Sequence, residues 1–370
     1  TEDGSQLWQR QYVVEPEKML ELLDNLSGQI TYKLKLPLSR DERKFLATHQ
    51  TDNAEAYKMY IRGRHCWRKR DKENIQKAIS FFDQAIDLDA AYAEAYSGLA
   101  DCYLILSTVA YGPLPTKEAM SKARFAAETA LGIDDTLCEA RTSLGVYHFR
   151  HEWNWAGAEK EFKQAIRLNP NYAPAYFWYS NLLALMGHSN DSIAAAEKAK
   201  ELDPLSPLSD LNLARAYYYA RRYDVAVNLF RKMLDENPND LKALYLLSYV
   251  YERQGLYQES INSLEKVYEK DRLFAAAPLG YVYARVGRRA DALRILNEIG
   301  DRSKYPIVPP QEQAIIYLGL DDKDRAFALL GEACRDRFAT LPLLLIDPFL
   351  DGIRSDPGFV ELARCANLPQ

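Results

Sequence analysis

The chain lacks most of what a catalyst, a membrane channel or a metal scaffold needs. Its five cysteines, Cys66, Cys102, Cys138, Cys334 and Cys365, are an odd number and lie far apart, with no CxxC pair. That excludes zinc-ribbon spacing and leaves small buried hydrophobes as the expectation for all five. Histidine is equally scarce. The one pair able to share a helix face, His148 and His151, has no third ligand placed by the sequence, so no metal is expected. No apolar run reaches the ~18 residues of a membrane span; Leu341–Ile346 and Ile105–Ala110 are the longest. Thr1–Gly4 is neither basic nor apolar, so no signal peptide is expected. A formal net charge of −5 leaves no basic footprint for nucleic acid. There is no phosphate loop, GxGxxG, HExxH or GxSxG, and neither catalytic nor cofactor-binding residues are expected.

What the chain has is a period. Pro170, Pro204 and Pro238 stand 34 residues apart, and small residues recur at two fixed places in each unit of about that length. Gly63, Ala100, Gly145, Ser180, Ala214, Ser248, Gly280 and Ala314 occupy the first place. Ala78, Ala123, Ala158, Ser192, Ala226, Ser260, Ala292 and Ala326 occupy the second. Small side chains let two helices approach closely, and Phe82, Phe162 and Phe230, four residues after the second place, fill the space one turn later. The division gives units at 54–92, 93–137, 138–172, 173–206, 207–240, 241–272, 273–303 and 307–338. The second carries an insertion near Thr108–Thr116. Each unit reads as helix, tight turn, helix, and cannot bury its apolar face without a neighbour.

Before the array, Leu7–Trp8 reads as a short strand and Met19–Ile30 as an amphipathic helix. After it, Leu341–Pro348 and the short helix ending at Cys365 have the apolar content to cover the last unit. The expected organisation is residues 1–52 as the end of a preceding domain with linker helices, 53–338 as the array, and 339–370 as a C-terminal capping segment.

The repeats resemble the tetratricopeptide (TPR) family over about three quarters of the chain. An all-α, right-handed TPR superhelix of about eight helix-turn-helix repeats is what that resemblance implies. Asp3–Trp8 with Tyr12, Asn53–Tyr57, Tyr60–Gly63, Trp153–Trp155, Asp203–Ser206, Ala220–Tyr223 and Arg354–Pro357 are similar to bacterial regulators that place a TolB-like domain before TPR repeats. In those proteins the front end is a winged-helix domain, a Ser/Thr kinase or a nucleotide cyclase. The resemblance therefore implies a non-catalytic C-terminal part of a signalling or transcriptional regulator, cytoplasmic or else the periplasmic domain of a membrane-anchored one.

In this family the first helix of each unit lines the concave face. Its facing positions in units four to six give Phe177, Asn181, Leu211, Arg215, Tyr218, Lys242, Tyr245, Tyr249 and Glu252, with Tyr219 alongside. Aromatic and cationic side chains so grouped have the composition of a binding hot spot. Arg215 and Lys242 favour an acidic protein or peptide partner. Asn181, Asn212 and Lys242 match three positions of the family's carboxylate clamp, but Phe177 and Leu246 stand where two of its cations belong. A sensory solenoid that takes a small molecule or peptide in the groove is the alternative expectation.

Overall fold

The computed structural model describes residues 51–69, 71–107, 116–305 and 308–368. The strand at Leu7–Trp8, the Met19–Ile30 helix and residues 108–115 of the insertion lie outside them. Among the described residues every regular element is helical, and the helices come in eight successive pairs. These are α1 (Ala54–Lys69) with α2 (Lys72–Leu88), α3 (Ala93–Leu106) with α4 (Thr116–Ile133), and α5 (Cys138–Tyr147) with α6 (Trp155–Leu168). Then come α7 (Ala173–Leu185) with α8 (Ser189–Leu202), α9 (Pro207–Tyr219) with α10 (Tyr223–Glu236), and α11 (Leu241–Arg253) with α12 (Tyr257–Lys270). The last two are α13 (Arg272–Arg285) with α14 (Arg289–Gly300) and α15 (Pro310–Gly319) with α16 (Lys323–Arg335). The expected all-α fold of about eight helix-turn-helix repeats is present. No described helix is long and apolar enough to cross a membrane.

Local chemistry sets the boundaries. Helices α6, α8 and α10 stop at Leu168, Leu202 and Glu236, two residues before Pro170, Pro204 and Pro238, because a residue ahead of proline is driven out of the helical region. Asp240 caps α11 by accepting from the amides of Lys242 and Ala243, both at 3.0 Å, and Asp271 caps α13 through Phe274 N at 3.1 Å. Each intra-repeat turn from the fourth pair onward has one residue in the left-handed region: Gly187 (φ 78°), Arg221 (60°), Gly255 (76°), Gly287 (82°) and Asp321 (62°). Glycine suits that conformation because it has no Cβ. The turn residue of the fifth pair is Arg221, 34 residues from both Gly187 and Gly255.

The described chain forms two compact units. In the first, residues 51–102 and 125–137, the Phe82 ring lies between Gly63 and Gly98 with no exposure. A Cβ at either glycine would stand 2.6 Å from that ring. Ala56, Met59, Ala85, Tyr92 and Ala95 form a buried cluster in the same unit.

In the second unit, residues 103–124 and 138–368, the two small places meet across each pair. Ser180 Oγ donates to Ser192 O and Ser192 Oγ to Ser180 O, each at 2.8 Å, and Ser260 Oγ donates to Ser248 O at the same distance. Elsewhere the same places are fully buried alanines, among them Ala214, Ala226, Ala292, Ala314 and Ala326. The period thus reports helix contact, and serine is tolerated there because the opposite backbone satisfies its hydroxyl.

Beyond the eighth pair lie α17 (Leu341–Leu345), a 3-10 turn (Pro348–Ile353) and α18 (Pro357–Cys365). Helix α18 returns to α16, and Cys334 is disulfide-bonded to Cys365. The expectation of five separate core thiols is corrected for this pair. Their 31-residue separation hid a contact that only the returning tail creates. Cys66, Cys102 and Cys138 remain thiols, and all three are buried.

Candidate interaction site

The inner helices of the second unit are occupied by the chain's own tail. Asp347 precedes Pro348, so helix α17 cannot continue. The Asp347 carboxylate instead accepts from Phe349 N at 3.0 Å and from the Tyr218 hydroxyl of α9 at 2.5 Å. Phe349, 5% exposed, lies between Tyr249 of α11 (centroids 5.9 Å apart, stacked) and Tyr281 of α13 (5.3 Å, edge-on). Arg253, held by both oxygens of buried Glu252 at 2.5 Å, donates to Pro348 O at 3.1 Å. Arg221 grips Asp351 with two bonds of 3.0 and 2.7 Å. Arg354 closes the turn by donating to Leu345 O and Asp347 O.

Further along, the tail reaches the third pair. Trp155 Nε1 donates to Asn367 O, Asn367 Nδ2 to Trp153 O at 3.4 Å, and Arg337 Nη1 to Glu152 O at 2.7 Å. The Arg337 guanidinium also lies 5.4 Å from the Trp153 ring. Residues that follow the eighth pair therefore meet the loop of the third, and the inner face between them is enclosed.

The residues expected to face a groove fall into two sets. Phe177, Asn181, Arg215, Tyr218, Tyr219, Tyr245 and Tyr249 belong to the enclosed face. Phe177 meets Trp178 edge-on at 5.2 Å and lies 5.8 Å from the Arg215 guanidinium. Asn181 Oδ1 accepts from Arg215 Nη2 at 2.5 Å, Asn212 Oδ1 accepts from it at 3.1 Å, and Asn181 Nδ2 donates to Asn212 Oδ1 at 3.2 Å. Tyr219 packs against Tyr218 at 5.6 Å. Tyr245 stacks on Phe274 at 4.3 Å and shares a 2.8 Å hydroxyl bond with Tyr249. Leu211 and exposed Lys242 instead line a cleft with Pro207, Leu208, Met233 and Leu241. Openness is corrected for Asn181 and Tyr218: both are buried and already hydrogen-bonded.

Arg150, Arg215, Tyr219, Tyr245, Tyr249 and Glu312 keep partial exposure although protein surrounds each of them. Removal from bulk water disfavours charge there. Burial pushes Asp347 up to about 6 and Glu312 up to about 7, and lowers Arg150 to about 10 with help from Arg215. The Tyr218 and Tyr249 hydroxyls rise well above their usual range for the same reason.

Sequence reading missed Arg150, Arg221, Arg253 and the Asp347–Asp351 segment. One signal for Arg221 was available: it stands where three other turns have glycine, and an arginine in that conformation needs a compensating contact. His148 Nδ1 pairs with Glu152 Oε2 at 2.6 Å, and no group of three metal-binding side chains exists among the described residues.

Tetratricopeptide repeat sequences match residues 161–194 and 211–278. The chain is 23% identical over 202 residues to the transcriptional regulator HilA of Salmonella paratyphi A, covering 55% of this chain and 36% of HilA. Mouse tetratricopeptide repeat protein 21A is 21% identical over 320 residues, covering 77% of this chain and 24% of that protein. The chain spans about a third or less of these relatives' lengths. The crystal structure of TTC0263, a TPR protein of Thermus thermophilus, is similar at 20% identity and a TM-score of 0.44, covering 53% of this chain and 98% of that one. Residues 161–194 and 211–278 are thus similar to tetratricopeptide repeats, and the 34-residue period and the helix pairs carry the same pattern through the array.

Proposed function

We propose that this region is a non-catalytic protein-interaction module of a bacterial signalling or transcriptional regulator, and that its inner face takes an extended acidic peptide. The observation that carries the reading is the tail itself. Asp347-Pro-Phe-Leu-Asp351 crosses the inner helices with its aromatic ring between Tyr249 and Tyr281 and its acids on Tyr218 and Arg221. A surface that holds two carboxylates around an aromatic ring is matched to a partner segment of that chemistry. Phe177, Asn181, Arg215, Tyr218, Tyr219, Tyr245 and Tyr249 continue this face, and Leu211 with Lys242 offers a cationic, apolar cleft beside it. The similarity to HilA and the TolB-like sequence pattern support the regulatory setting. Between the two compartments, the Cys334–Cys365 bond favours the oxidising periplasm.

A labelled peptide of residues 344–354 tests the reading. It should bind a Phe349→Ala/Asp351→Lys chain, whose own segment is weakened, at least tenfold more tightly than the unaltered chain. Adding Arg221→Glu should remove the gain. Absence of binding to a helical, folded double variant overturns the proposal.

A further inference from the structure

The enclosed face contains two guanidinium groups that no carboxylate neutralises. Arg150, in the widened π turn His148–Glu152, lies 5.9 Å from the Trp178 ring, and Arg215 lies 5.8 Å from the adjoining Phe177 ring. The two cations thus flank one aromatic pair, and the charge that Arg150 feels is that of Arg215. Neither forms an ion pair among the described residues. The inner carboxylate of Asp347 is directed elsewhere, onto Tyr218 and Phe349 N.

The uncompensated polar groups beside Arg215 are all donors. Asn181 Oδ1 and Asn212 Oδ1 turn their acceptors to Arg215 Nη2, which leaves Arg215 Nε and Asn212 Nδ2 buried with no hydrogen-bond partner. Buried donors are satisfied in nearly all folded proteins, and a buried cation without a counter-charge is strongly disfavoured. Two buried, unused N–H groups, one of them on a cation and both beside a second guanidinium that makes no ion pair, call for an acceptor-only, negatively charged occupant. Lys242, central to the family's clamp pattern, is exposed and lines the cleft with Leu211, so this constellation is a different one.

We propose that Arg150, Arg215 and Asn212 form an internal site for a small carboxylate or phosphate anion inside the second unit. The site shares Arg215 with the face proposed for the acidic peptide, and it is distinct from the tail's own anchorage because it uses donors that the tail does not touch.

The test is thermal melting and calorimetric titration of the full 370-residue chain. The probes are inorganic phosphate, succinate, and a short peptide with either a free or an amidated C-terminus, all at matched ionic strength in chloride. At least one anion should raise the melting midpoint, and the free and amidated peptides separate a chain-end carboxylate from a small metabolite. Arg150→Met should melt above the unaltered chain in anion-free buffer, since it removes an unpaired buried charge, and should bind the anion at least tenfold more weakly. Arg150→Gln provides the same comparison with a polar side chain. A merely structural arginine gives the opposite sign, a lower midpoint without anion. Failure of every anion to shift the unaltered chain, or an equal shift in the folded variants, overturns the assignment.

Discussion

Replacing Phe349 by alanine separates two explanations for how the tail is held. Its ring is 5% exposed between Tyr249 and Tyr281. A phenylalanine side chain buries ~150–250 Å², which at ~25 cal/mol/Å² amounts to about 4–6 kcal/mol as an upper figure. Measured Phe→Ala losses run ~3–5 kcal/mol. The competing explanation is the Arg221–Asp351 pair, whose side chains are 48% and 36% exposed. Such a pair contributes ~0–1 kcal/mol. Phe349→Ala should therefore lower the unfolding free energy by about 3–4 kcal/mol, and Asp351→Ala by less than ~1. Urea denaturation followed by circular dichroism gives the global values. Amide exchange across residues 345–354 shows whether the tail leaves before the helices melt. Equal losses in the two variants, or a Phe349→Ala loss under ~1 kcal/mol, would refute an aromatic anchor in favour of electrostatic docking.

Helix pairing was legible in the sequence because it is local. A small residue at Ser180 and another at Ser192 report one contact between neighbouring helices, and the contact repeats with the unit. Docking of the tail was not legible, because it joins positions far apart: Tyr218 with Asp347, Trp155 with Asn367, Glu152 with Arg337. No periodicity encodes those pairs. In the apolar run at Leu341–Ile346, Leu341 and Leu345 are fully buried. The capping segment expected at 339–370 contains the Asp347–Asp351 turn, with no contacts assigned to it; its acids and Phe349 are held by inner-face residues of α9, α11 and α13 and by the α9–α10 turn. Positions on the first helices were read by register, and register gives direction without occupancy. Tyr218 and Tyr249 do face inward, where the tail already meets them. Arg150 escaped because the π turn at His148–Glu152 shifts the helical register by one residue, which no 34-residue template anticipates.

Three further expectations test the packing, the tether and the charges. Ala226→Leu and Ala292→Leu, at positions with no exposure, should each destabilise by ~1–3 kcal/mol through overpacking; unchanged melting midpoints in both would place the helix contacts elsewhere. Reducing Cys334–Cys365, which spans 31 residues, should cost about 3–4 kcal/mol on chain-entropy grounds, and partially exposed proteolytic sites in the tail should appear with reductant; identical digestion with and without it would show that the bond does not hold the tail. The last expectation concerns pH. Burial raises Asp347 from 3.8 in the unfolded chain to about 6 in the folded one, so the folded state binds its proton more tightly than the unfolded state does. The stability from that proton is fully present below about pH 4 and is lost as pH rises through about 6. At ~1.4 kcal/mol per unit the Asp347 contribution approaches 3 kcal/mol across that window. Glu312, raised to about 7, acts in the same direction at slightly higher pH. Glu159, Glu298 and Asp291, whose carboxyls are lowered by lysine, tyrosine and arginine partners, oppose it only when the medium is acid enough to protonate them. His151, whose charged form burial disfavours, opposes this within the same window, so the Asp347 contribution is read as a difference: Asp347→Asn, which retains a side-chain oxygen to accept from Tyr218 but cannot ionise, should shift the change in unfolding free energy between pH 7 and 5 toward less gain on acidification. A slope over pH 5–7 that is unaltered by Asp347→Asn would show that the carboxylate beneath Tyr218 titrates as it does in water, and that the inner face is open to solvent at that point.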